Sequence, residues 1–139
     1  MTLSVAVEHE QGAFHLDARF ECSEGVTALF GQSGAGKSTI VNAIAGLLRP
    51  RQGRIALNGE VLFDTERGIH VPARKRRFGY VFQEGRLFPH LSVRQNLFYA
   101  RLFGARIAAG EFNHLVELLG LGDLLERRPG QLSGGEKQR

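Results

Sequence analysis

Apolar residues recur along this chain with two different periods. Across residues 3–7 and again across 14–20 they alternate with polar ones, the period of a half-buried strand. Gln11 and Gly12 lie between the two segments, which are therefore predicted to pair as a hairpin. A second hairpin is predicted where residues 54–57 and 61–63 flank Asn58-Gly59, the pair best suited to a two-residue turn. Residues 26–30 and 78–82 are continuous apolar runs, the signature of strands buried on both faces of a parallel sheet. The second run leads into Gln83. From Ser38 the spacing lengthens to that of a helix and stops at Gly46. From about Ser92 onward the chain reads as helical, with breaks near Gly104 and Gly110 and a periodic stretch over 111–119 that ends at Gly120. Strand, helix, strand and helix in this order predict an α/β protein with a small antiparallel sheet leaning on a parallel core.

Between the strand predicted at 26–30 and the helix predicted from Ser38 stands Gly31-Gln32-Ser33-Gly34-Ala35-Gly36-Lys37-Ser38, which fits G-x-x-x-x-G-K-[ST]. A nucleotide triphosphate needs many donors converging on crowded oxygens with no side chain in the way. Glycine at 31, 34 and 36 lets successive backbone N–H groups approach the phosphates. Lys37 is expected to reach the β- and γ-phosphates, Ser38 to ligate Mg²⁺, and Thr39 to follow at the start of the helix, whose dipole favours the anion. This order of strand, glycine loop and helix predicts ATP and Mg²⁺ as ligands.

Composition narrows the class. With 139 residues, 42% hydrophobic and 23% charged, the chain is an ordinary globular sequence with enough material for a core. The net charge of +4 comes mainly from arginine, since lysine occurs only at 37, 75 and 137. Arg74-Lys75-Arg76-Arg77 is the one basic cluster. It is read as a solvated loop, with a polyanion patch as the other possibility. No aromatic-interleaved basic stripe is present, so nucleic acid is not an expected partner. Cys22 stands alone, which suits a reducing compartment. No apolar run is long enough to span a bilayer, and no leader opens the chain, so a membrane role is expected to come through a partner.

Two later motifs join the phosphate loop: Val81-Phe82-Gln83, and Leu132-Ser133-Gly134-Gly135-Glu136-Lys137-Gln138 close to Arg139. Together the three resemble the P-loop, glutamine loop and signature of ABC-transporter ATP-binding subunits. The interval between Gln83 and Ser133 is too short for the long coiled coil of the related repair and chromosome-structuring ATPases. Further detail is similar to the molybdate-importing subfamily, notably Gly68-Ile69-His70-Val71-Pro72, residues 75–90, residues 41–47 and Val61-Leu62-Phe63-Asp64. Leu87-Phe88-Pro89-His90 is shared with importers of sulfate, iron and polyamines. The resemblance extends over essentially the whole chain.

The resemblance implies an energy-coupling ATPase subunit at the cytoplasmic face of the inner membrane. Its implied partners are a second copy of itself, integral-membrane permease subunits and, indirectly, a periplasmic or extracellular oxyanion-binding protein. It implies a partial ABC ATPase fold, with a nucleotide-binding core and antiparallel β subdomain over 1–91 and a helical subdomain over 92–139. ATP is expected between two head-to-tail copies. Gly31 to Thr39 of one copy would bind it, and Ser133, Gly134, Gly135, Glu136 and Gln138 of the other would close over the γ-phosphate. Lys37 and Gln83 are the catalytic candidates, Ser38 and Gln83 the Mg²⁺ ligands. Leu87 and Phe88 would either sit near the groove for a permease helix or pack locally. Phe14 is the candidate for stacking on adenine, with strand-core packing the alternative. The acidic pair needed for hydrolysis, a later aspartate loop and a histidine switch follow the signature in this family. Asp64 does not replace that pair, because Thr65 follows it and a hairpin strand explains the run. The 139 residues alone are thus expected to bind nucleotide weakly at best, without hydrolysing it, and to be poorly soluble or partly molten. Alternatives are a catalytically inactive nucleotide-binding module and a non-transport ABC protein.

Overall fold

Both predicted hairpins form. In a computed structural model that describes residues 2–83, 85–103 and 109–139, β1 (Leu3–Gln11) pairs antiparallel with β2 (Phe14–Cys22), from Leu3 opposite Cys22 to Gln11 opposite Phe14. β3 (Gln52–Leu57) and β4 (Glu60–Asp64) turn through Asn58 and Gly59, at φ of 49° and 83°. β1 also pairs with β3, and the short β5 (Ile69–His70) adds to β4. The result is a five-stranded antiparallel sheet in the order β2-β1-β3-β4-β5.

Alternation decides which face is buried. Val5 and Val7 point the same way, Val5 opposite Phe20 on one side and Ile55 on the other. α1 (Lys37–Ala45) contributes Ala43 to the same core, which Ile55, Leu62 and Phe63 complete. Ile55 faces Phe63 and Ala56 faces Val61, so Leu62 is an extra residue in β4. That bulge is how consecutive residues Leu62 and Phe63 are both buried. Burying each large side chain of this cluster contributes about 1.5–3 kcal/mol.

The chain divides into two compact units, Met1–Tyr80 and Val81–Arg139. The second is helical. α2 (Val93–Phe98) starts in a capping box in which the Ser92 hydroxyl accepts from the Gln95 N–H and the Gln95 side chain accepts from the Ser92 N–H. α3 (Ala109–Leu118) packs Phe112 on Phe98, their rings stacked at 4.4 Å. These join Val93, Leu121, Leu124, Leu125 and Leu132 in a second core. α4 (Gly134–Gln138) follows. No described helix is long and apolar enough to cross a membrane.

Two expectations are corrected. Residues 26–30 and 78–82 are not strands, and Val26, Phe30 and Val81 are almost fully exposed. A doubly buried parallel strand exists only between hydrogen-bonded neighbours, and no described strand pairs with either run. Gly110 is the second residue of α3, so that helix starts beside the expected break. Gly104 lies outside the described residues.

Candidate phosphate-binding site

Gly36 ends the glycine loop and starts α1. Its φ is 90°, and a Cβ there would lie 2.9 Å from the Phe14 ring and from a Leu16 methyl, so neither its backbone nor its surroundings admit a side chain. Strand β2 thus supplies the wall against which the loop turns. The Ala35 N–H donates to Gln32 O (3.2 Å), and the Ile40 N–H donates to Gly36 O (2.9 Å), closing the first turn of the helix. No side chain caps α1. Residues 31–35 are exposed, and nothing lies within 4 Å of the Cβ position at Gly34.

The Lys37 ammonium folds back over this loop. It donates to Gly31 O at 2.8 Å and to Gln32 O at 2.7 Å, bringing residues 31, 32 and 37 together. Ser38 is exposed beside it and Thr39 half-buried. An open backbone loop, an uncapped helix start, a primary ammonium and a hydroxyl, with no carboxylate among them, form a donor set that fits a polyphosphate. The hydroxyl of Ser38 has the oxygen chemistry that Mg²⁺ requires. The Phe14 ring lies beside Gly36 and is half-buried.

The far end of α1 holds a residue that sequence reasoning misread. Arg76, taken as part of a solvated basic loop, is only 4% exposed, whereas Arg74, Lys75 and Arg77 are exposed. Its Nη1 donates to Ala43 O (2.8 Å) and Ile44 O (2.7 Å), and its Nε to Val71 O (2.8 Å). Burial pushes its pKa below the ordinary arginine value. A cation is favoured there because the last carbonyls of a helix lack intrahelical donors and carry the negative end of its dipole. Nearby, the Tyr80 hydroxyl donates to Asn42 Oδ1 at 2.7 Å. Asp64, at the end of β4, accepts from the Arg67 N–H (3.0 Å) and faces Arg54 Nε at 3.7 Å.

Gln83 and the signature residues belong to the second unit. Gln83 is exposed. Ser133 caps α4: its hydroxyl accepts from the Glu136 N–H (3.3 Å), and Glu136 Oε2 accepts from the Ser133 N–H (2.6 Å). That backbone bond, with the Ser133 side chain second, lowers the Glu136 pKa. Gly134, Gly135 and Gln138 are exposed. Leu87 packs against the second core, whereas Phe88 is exposed, its ring tilted against that of Tyr99 with centroids 4.2 Å apart. Asn96 fastens this loop, accepting from the Phe88 N–H (2.8 Å) and donating to the carbonyls of Phe88, Leu91 and Ser92.

A family model described as ABC transporter matches residues 16–139. The molybdenum import ATP-binding protein ModC of Rhizobium johnstonii is 60% identical over 100% of this chain and 39% of that protein. ModC of Rhizobium meliloti is 56% identical over the same shares. The chain therefore spans 39% of the length of these curated relatives. Among solved structures, the ATP-binding subunit of an ABC transporter superposes with a TM-score of 0.71 at 27% identity, covering 99% of this chain and 57% of that one.

Proposed function

Because the chain belongs to the ABC transporter family and has the fold of its ATP-binding subunits, we propose that it is the nucleotide-binding part of an ATPase that powers molybdate import. The observation that carries the ATP reading is the Lys37 ammonium held over an open glycine loop at the start of α1. The molybdate reading rests on the 60% identity to a molybdenum import protein.

In this reading the amides of residues 31–36 and the Lys37 ammonium bind the phosphates, and the Ser38 hydroxyl would ligate magnesium. Magnesium, when bound, neutralises charge on the β- and γ-phosphate oxygens. Gln83 orients the attacking water and senses the γ-phosphate. Phe14 offers its ring to the adenine. A second copy contributes Ser133, Gly134, Gly135, Glu136 and Gln138 across the γ-phosphate, with the Ser133 hydroxyl as donor, since its oxygen accepts from Glu136. Leu87 and Phe88 face a permease helix, placing the subunit peripherally on the cytoplasmic face of the membrane, and an oxyanion-binding protein delivers the cargo to that permease.

The test is transport. The full-length protein, assembled with its permease in vesicles, should take up molybdate in an ATP-dependent way, and Lys37→Ala should abolish uptake. ATP turnover stimulated by another anion and not by molybdate would overturn the substrate. Turnover that survives Lys37→Ala would overturn the site.

A further inference from the structure

Arg76 is buried with three of its donor bonds accounted for, yet the mechanism proposed above does not use it. Its acceptors come from two places: the last turn of α1, and Val71, whose own N–H donates to Leu62 O in β4. The guanidinium therefore ties the end of the phosphate-loop helix to the β4–β5 edge of the sheet. Three further observations show a built position. Gly46 must be glycine for the guanidinium to fit, because a Cβ would lie 2.6 Å from Nε. Arg77 takes a left-handed φ of 56°, a conformation costly for a side-chain-bearing residue, directly after Arg76. Nη2 is buried with no hydrogen-bond partner among the described residues, so the side chain accepts an incomplete set of bonds in order to reach these carbonyls.

Helix α1 is short, and its two ends have opposite tasks. The first turn presents Lys37, Ser38 and free amides; the last turn is gripped by Arg76. A rigid helix transmits any tilt at one end to the other, and phosphate recognition tolerates little misplacement of its donors. The cation also opposes the negative end of the helix dipole, whose positive end meets the phosphates. We propose that Arg76 is a positioning residue for the phosphate site, setting triphosphate affinity through α1 without touching the nucleotide. The proposal rests on the ATP-binding reading of residues 31–38.

In the full-length protein, Mg-ATP affinity is read with a fluorescent ATP analogue, and melting temperature is read without ligand. Arg76→Met should weaken Mg-ATP binding about tenfold, and Arg76→Lys, which keeps a cation and donors, should recover most of that loss. Gly46→Ala, which displaces the guanidinium without removing it, should reproduce the weakening. A lowered melting temperature with unchanged affinity in Arg76→Met would make the role merely structural and overturn the proposal. If Arg76→Met fails to fold, Arg76→Lys decides, with a two- to threefold loss expected and wild-type affinity overturning it. Lys37→Ala separates the two readings: if it leaves binding intact, the phosphate site itself is wrong, whereas if it abolishes binding while the Arg76 variants bind normally, only this inference fails.

Discussion

Lys37 and Gln32 are joined by a 2.7 Å hydrogen bond from the ammonium to the loop carbonyl, so the cation proposed to bind phosphate is held by its own loop. A phosphate oxygen must replace this acceptor and that of Gly31. Replacing Lys37 by Ala removes a charge-assisted donor, and Mg-ATP affinity should fall by about a hundredfold, roughly 2.7 kcal/mol. Titration with a fluorescent nucleotide reads the loss.

Gly36→Ala tests the wall behind the loop. The added methyl meets Phe14 and Leu16 at 2.9 Å on a backbone with φ of 90°. Destabilisation of about 1–3 kcal/mol is expected from the strain alone. Urea unfolding would show it, and a wild-type midpoint would contradict the placement of β2 against the loop.

Phe63, 1% exposed, fills the first core beside Ile55. Phe63→Ala should cost about 3–5 kcal/mol, more than any single exposed apolar residue of the chain. Exposed Leu118 is the control: Leu118→Ala should shift the unfolding midpoint little.

Glu136 gives a pH dependence whose sign follows from its lowered pKa. The carboxylate caps α4 fully above its unfolded-state pKa, and the cap is lost as pH falls through the lower folded-state value. Acidification below the usual carboxylate range should fray α4, followed by the Ser133 amide resonance in an NMR titration. Glu136→Gln should remove that titration. Ser133→Ala should cost about 1 kcal/mol of local stability by deleting the hydroxyl cap.

Asn96 ties residues 88–92 to α2 through both its donor and its acceptor. Asn96→Ala leaves the Phe88 N–H without its acceptor, at a cost of roughly 1–3 kcal/mol. Hydrogen exchange at the Phe88 amide should accelerate. If Phe88 faces a permease helix, coupling of ATP turnover to transport should weaken while nucleotide affinity stays unchanged.

Local signals were read correctly wherever the cause was local. Asn58-Gly59 made its hairpin because two adjacent residues adopt the required φ, and α1 stopped at Gly46 for the same kind of reason. Residues 26–30 and 78–82 look as apolar as any strand, but a ladder needs a partner and the described chain offers none. Leu62 broke the alternation of β4 through a bulge that no period could anticipate.

The order of residues from Gly31 to Ser38 determined by itself that this loop would expose donors at a helix start, since glycine and lysine carry that chemistry wherever the helix begins. What surrounds the loop was decided only by the tertiary structure. Arg76 reads as one of four basic residues in a row, and its burial depends on carbonyls of α1 that lie more than thirty positions earlier in the chain. A cation enters a protein interior only when distant backbone acceptors converge on it, and that convergence exists only after the chain has folded.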